Sequence, residues 1–153
     1  MDDVSFFCIF GRDGVTKNKT EGDWCTPIGI FPVRKIYYRN DKIKKLDTQV
    51  ETIPISKDDA WCDDKERNEY NTFIKLPFNG SYENLWRDDD LYNIIVVIGY
   101  NDEPIVKERG SAIFIHIANN EMQYTKGCLA IKKEDMISLL KNITLDTKIE
   151  ISL

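Results

Sequence analysis

The run Asn93-Ile94-Ile95-Val96-Val97-Ile98-Gly99-Tyr100 constrains the fold more than any other stretch of the chain. Its five consecutive β-branched residues, bounded by Asn and Gly, are of strand length and apolar on both faces. A strand of that kind has to be covered on both sides, so it is expected in the middle of a sheet. Around it the chain offers further strand-like runs. Val4–Phe10 ends at the turn Gly11-Arg12-Asp13-Gly14. Ile30–Arg39 follows the Thr26-Pro27-Ile28-Gly29 corner, and Pro32 places its start at an edge or a bulge. Thr48–Ile55, Ser111–Ala118, Cys128–Ile131 and a last alternating strand through Ile149, Ile151 and Leu153 complete the set.

One segment has helical periodicity. Met136, Leu139, Leu140 and Ile143 recur at i, i+3, i+4 and i+7, with Glu134 and Asp135 where a first turn favours acids. From Ser56 to Trp86 the chain is irregular, polar and aromatic by turns, with a helical turn or two expected within Tyr82–Asp90. So long a connection is expected to wrap over a site. With strands dominant and one late α-helix, residues 1–153 are expected to form a single, mainly β domain. The length suits one core, and 42% hydrophobic residues suit a globular chain.

Composition closes off several classes of function. The formal net charge is -5 and the basic residues are scattered, so no nucleic-acid footprint is expected. No apolar run is long enough for a membrane helix. The start of the chain is acidic where an export signal would be basic, which leaves a cytoplasmic location open. The four cysteines (Cys8, Cys25, Cys62 and Cys128) match no zinc spacing, and there is one histidine, so neither metal nor cofactor is expected. Cys8 reads as a small hydrophobe within a strand. Cys25 and Cys62 would pair only in an oxidising compartment. Nothing in the sequence speaks to oligomeric state.

The chemistry concentrates between Ser111 and Ile131. His116, the lone histidine, shares one strand face with Ala112, Phe114 and Ala118, because strand side chains alternate. Cys128 shares a face with Ala130. If the two runs pair as an antiparallel hairpin with residues 119–126 as its loop, one register sets His116 directly across from Cys128, and a slip of one residue separates them. Gly127 lets backbone approach backbone, and the amides of Gly127 and Cys128 are placed to receive an oxyanion. Such a pair is the minimum for thiol nucleophilic catalysis. A lone histidine in an apolar strand is, however, ordinarily a satisfied core residue, and a buried cysteine is ordinarily inert.

Gly110-Ser111-Ala112-Ile113-Phe114-Ile115-His116 followed by Thr125-Lys126-Gly127-Cys128-Leu129-Ala130 resembles the signature of the L,D-transpeptidase catalytic domain (YkuD-like, ErfK/YbiS). Lys17-x-Lys19-x-Glu21-Gly22-Asp23-x-x-Thr26-Pro27-x-Gly29-x-Phe31 is similar to its N-terminal block. Trp61-Cys62-Asp63-Asp64, Tyr70-Asn71 and Arg87-x-Asp89-x-Leu91-Tyr92 look like a short-spacer branch. The resemblance implies a β-sandwich-like fold and acyl transfer on peptidoglycan stem peptides in the cell envelope or periplasm. Cys128 would be the nucleophile and His116 the base, oriented by a backbone carbonyl. The amides of Lys126, Gly127 and Cys128 would form the oxyanion hole, and an amine would take the acyl group. Thr125, Tyr100, Trp61 and Arg87 are the expected substrate contacts. Lys126 stands where family members commonly carry a second histidine, and Ala130 where a polar residue is common. Both departures bear on the acceptor, so hydrolysis by an L,D-carboxypeptidase or amidase, or an idle wall-binding module, are the alternatives.

Overall fold

The computed structural model describes residues 3–153. In chain order the strands are β1 (Val15–Thr16), β2 (Thr26–Pro27), β3 (Gly29–Tyr38), β4 (Thr52–Pro54), β5 (Asp59–Cys62) and β6 (Phe73–Lys75). They continue with β7 (Tyr82–Asn84), β8 (Ile94–Ile98), β9 (Phe114–Ile117), β10 (Leu129–Ile131) and, after the helix α1 (Lys133–Asn142), β11 (Lys148–Ile151). The main sheet runs β10-β9-β8-β3-β11, with β4 parallel to β3. β8 is its middle strand and all five of its residues are buried, as its two apolar faces demand. The fold is mainly β with one helix.

Strand alternation divides the core in two. Ile94, Val96 and Ile98 face one side with Ile113, Ile115, Leu129 and Ile131, where Met136, Leu139 and Leu140 of α1 cover them. Ile95 and Val97 face the other side with Tyr37, Ala112, Phe114 and Cys128. That second face is covered by the Ser56–Trp86 segment, which is more ordered than its composition suggests. It forms a three-stranded antiparallel sheet, β6-β5-β7, and Trp61, Phe73 and Leu85 pack inward from it. Tyr82–Asn84 is therefore strand rather than a helical turn. The long connection does wrap over the face that carries Cys128.

Other expectations are corrected. Val4–Phe10 is no strand: it touches the sheet through an isolated antiparallel bridge of Ile9 with Ala130, and Cys8 is exposed. Thr48–Ile55 contributes only Thr52–Pro54. The irregularity expected at Pro32 lies just after it, as a register shift between Val33 and Lys35 against β8. All four cysteines are free. No described helix is long and apolar enough to cross a membrane.

The chief correction concerns β9 and β10. They pair parallel, Leu129 beside Ile115 and Ala130 beside His116, and not as a hairpin. A parallel neighbour requires the chain to return to the start of the first strand. The N-terminal segment makes it do so: Thr125 N–H donates to Phe10 O at 2.9 Å, and Arg12 N–H donates to Thr125 O at 3.0 Å. Residues 119–124 thus carry the chain back along the sheet before β10 begins.

Candidate active site

The parallel register places Cys128, one residue before β10, beside Phe114. Phe114 N–H donates to Cys128 Sγ at 3.4 Å. The thiol itself donates to Ala112 O at 3.1 Å. His116 lies opposite Ala130 rather than Cys128, but two residues along the same face, so the shared face survives the change of pairing. Diagonal neighbours of this kind have Cβ atoms about 7–8 Å apart, within reach of a ring side chain. Among the described residues no hydrogen bond joins His116 to Cys128. His116 Nδ1 lies 3.0 Å from Ile117 O. A carbonyl can only accept, so Nδ1 carries the proton and Nε2 is left as the basic nitrogen.

The turn before Cys128 is tied down by two threonines. Thr125 Oγ1 donates to Cys128 O at 2.6 Å and accepts from Gly127 N at 3.0 Å. Thr26 Oγ1 donates to Gly127 O at 2.8 Å and accepts from Gly11 N at 2.9 Å. Gly127 has φ of 145°, and a Cβ there would lie 2.9 Å from Cys25 O, so no other residue fits. Of the three amides expected to meet an oxyanion, Gly127's is engaged by Thr125. Those of Lys126 and Cys128 have no acceptor among the described residues. Substituting Thr26 by Val keeps its shape but strands Gly11 N–H and Gly127 O. It is expected to cost about 1–3 kcal/mol in chemical denaturation; a change within error would mean that neither group depends on the hydroxyl.

Burial dominates the electrostatics. Desolvation, with the negative charge of Glu83 behind it, pushes the Cys128 thiol up to about 12. The Phe114 amide, the Tyr92 hydroxyl and the Lys19 ammonium act the other way. Desolvation also lowers the His116 pKa, against the pull of its bond to Ile117 O. Glu83 is raised, chiefly by its own desolvation, and accepts a hydrogen bond from Tyr92 Oη. The Tyr92 ring sits edge-on to His116 at 5.2 Å and to Phe114 at 6.1 Å. Lys19 is buried and ion-paired with Asp23 at 2.7 Å. Its stem runs close to Gly110 and its Nζ close to Gly127.

The other expected site residues scatter. Thr125 points inward and spends its hydroxyl on the turn. Lys126 is exposed, its ammonium 5.3 Å from the Trp24 ring centroid. Arg87 pairs with Asp89 and lies 5.0 Å over the Tyr92 ring. Trp61 and Tyr100 line a cavity of about 310 Å³ together with Asn71, Phe73 and Phe114. Glu83 carried no signal in the sequence, because its strand hides in an irregular stretch. Lys19 and Asn71 stood only inside family-like blocks, Tyr92 also as an aromatic that could line a groove, and their parts depend on contacts across the fold. Among the described residues no group of three or more His, Cys, Asp or Glu is placed to hold a metal ion.

These elements define a mainly β domain that brings one cysteine and one histidine onto a covered sheet face. The family model of the L,D-transpeptidase catalytic domain, YkuD, matches residues 2–151. That is nearly the whole chain, and the protein belongs to this family, whose members act on peptidoglycan peptides. No curated protein and no solved structure gave a match.

Proposed function

We propose that residues 1–153 act as one catalytic domain, a cysteine acyltransferase working on peptidoglycan stem peptides in the cell envelope. What carries this is the shared face: Cys128 Sγ is held by the strand that presents His116, whose Nδ1–H on Ile117 O leaves Nε2 free. As Sγ attacks the carbonyl carbon of an L-to-D peptide bond, Nε2 takes the thiol proton. The amides of Cys128 and Lys126 receive the developing oxyanion. The C–N bond breaks, His116 returns the proton to the departing D-residue amine, and a thioester remains on Cys128. An amine then attacks the thioester carbon, His116 takes its proton, and the C–S bond breaks to restore the thiol. Trp61 and Tyr100, on the cavity that Phe114 also lines, are proposed to hold the stem peptide.

Incubating the protein with stem peptides and an amine, followed by mass spectrometry, tests the assignment. Cross-linked or amine-exchanged peptide is the expected product. Release of the D-residue without exchange would make the protein an L,D-carboxypeptidase, with water taking the acyl group. Binding with no product would leave a wall-binding module.

A further inference from the structure

We propose that Asn71 is a positioning residue for the Cys128 nucleophile, acting through the carbonyl of Ala112. The proposal rests on the assignment of Cys128 as the reacting thiol.

Ala112 precedes β9 by two residues, is buried, and has φ of 56°. The left-handed region costs an alanine on the order of 1–2 kcal/mol, so such a residue persists only where its surroundings impose it. The outlier is put to use, because in this conformation its carbonyl receives the Cys128 thiol at 3.1 Å. Two residues on, the Phe114 amide donates to the same sulfur at 3.4 Å. Sγ thus lies between the Ala112 carbonyl and the Phe114 amide, with the Tyr92 hydroxyl also bearing on it, and the direction of its S–H depends on the backbone at Ala112.

Asn71 anchors the preceding peptide, the one whose N–H belongs to Ala112, and so restrains the backbone at the residue whose carbonyl meets the thiol. Its Oδ1 accepts from Ala112 N at 3.0 Å and from Trp61 Nε1 at 2.9 Å. Its Nδ2 donates to Tyr100 O at 3.1 Å and to Asn101 O at 2.7 Å. All four hydrogen bonds an amide side chain can make are therefore made. Asn71 is 5% exposed and is itself left-handed, with φ of 57°. One side chain ties the turn after β8 and Trp61 of β5 to the amide of the residue whose carbonyl aims the thiol. It also lines the cavity next to Phe114, so the aim of the nucleophile and the wall of the cavity are set by the same group.

A double-mutant cycle tests this, because glycine adopts the left-handed conformation without steric cost. In Asn71→Ala, acylation of Cys128 by a carbapenem is expected to slow by about 10- to 100-fold, as befits a small misplacement of a reacting atom. In an Ala112→Gly background the same substitution should cost distinctly less. A role confined to holding the fold together would give the same loss in both backgrounds, and that result, or an unchanged rate in folded Asn71→Ala, overturns the proposal. If Asn71→Ala does not fold, Asn71→Asp decides. It keeps the acceptor on the Ala112 amide and loses both donors, so Tm should fall while acylation stays within a few-fold. A rate at least 10-fold lower in Asn71→Asp overturns the proposal.

The pH profile of iodoacetamide alkylation, resolved by residue, separates this idea from the assignment beneath it. Cys62 and Cys8 serve as buried and exposed controls within the same chain. Loss of the Ala112 acceptor, which favours the protonated thiol, should move the Cys128 midpoint to lower pH. Glu83, Tyr92 and Lys19, which act on the thiol, and His116 on the same strand face are unchanged in every variant. The Ala112→Gly background should shrink this shift. If wild-type Cys128 alkylates but is never acylated, the acyltransferase assignment fails and the alkylation cycle alone judges Asn71. A Cys128 inert to both reagents overturns both.

Discussion

Replacing Cys128 by Ala is expected to abolish covalent labelling by a carbapenem, with mass spectrometry reporting unmodified protein at every reagent concentration. Three other thiols remain in that variant, and they are poor substitutes. Cys8 lies exposed on the N-terminal segment. Cys25 and Cys62 have their sulfurs on the backbone carbonyls of Asp13, Asp23 and Asp64. None has an imidazole beside it. Undiminished labelling of the variant would remove Cys128 from the mechanism, and with it the proposed function. The substitution takes out a small side chain from a braced turn. Thr125, Thr26 and Gly127 keep their hydrogen bonds to the backbone, so the fold should survive and the loss be one of chemistry.

Replacing His116 by Ala should slow acylation by about 10²- to 10⁴-fold, the usual worth of a general base. The state of the thiol says why the effect should be large. Burial and Glu83 push it up to about 12, so at pH 7 the thiol is held in its protonated form. Removal of the proton must then accompany the attack, and His116 Nε2 is the basic nitrogen on that face. Burial lowers the His116 pKa from its ordinary 6.5. The neutral, basic form therefore persists to lower pH, and the acid limb of the wild-type rate should fall below pH 6.5. Stability has the same sign. Below 6.5 the unfolded imidazole binds a proton that the folded one refuses, so stability present above 6.5 is lost as pH falls through the folded pKa. The Ala variant should lose both the acid limb and this part of the acid sensitivity. A rate within a few-fold of wild type would show that the proton leaves by another route.

Much of the architecture was legible because it is written in local periodicity. Ile94–Ile98, apolar on both faces, had to be a central strand. The 3.6-residue spacing of Met136, Leu139 and Leu140 had to be a helix lying on the sheet. Alternation along Ala112–Ala118 put Phe114 and His116 on one face. These inferences need only the pleat and the helical pitch, which act over neighbouring residues. The short strands β5, β6 and β7 escaped detection because three or four residues carry too little pattern to stand out from an irregular segment. Val4–Phe10 misled for the opposite reason. Its apolar pattern is that of a strand, yet it runs along the sheet edge with a bridge only at Ile9.

The sequence by itself determined the parity of the faces that His116 and Cys128 occupy, since alternation depends on the backbone alone. Only the tertiary structure decided how those faces meet. Strand parity is the same for parallel and antiparallel neighbours, so nothing in the two runs distinguishes a hairpin from a returning chain. The choice was made by the contacts of Thr125 with Phe10 and Arg12, more than a hundred residues apart in sequence. For the same reason Asn71, Glu83 and Lys19 could not be assigned from the chain. Each lies near the Cys128 turn only through the fold, and a sequence records order along the backbone rather than proximity across it.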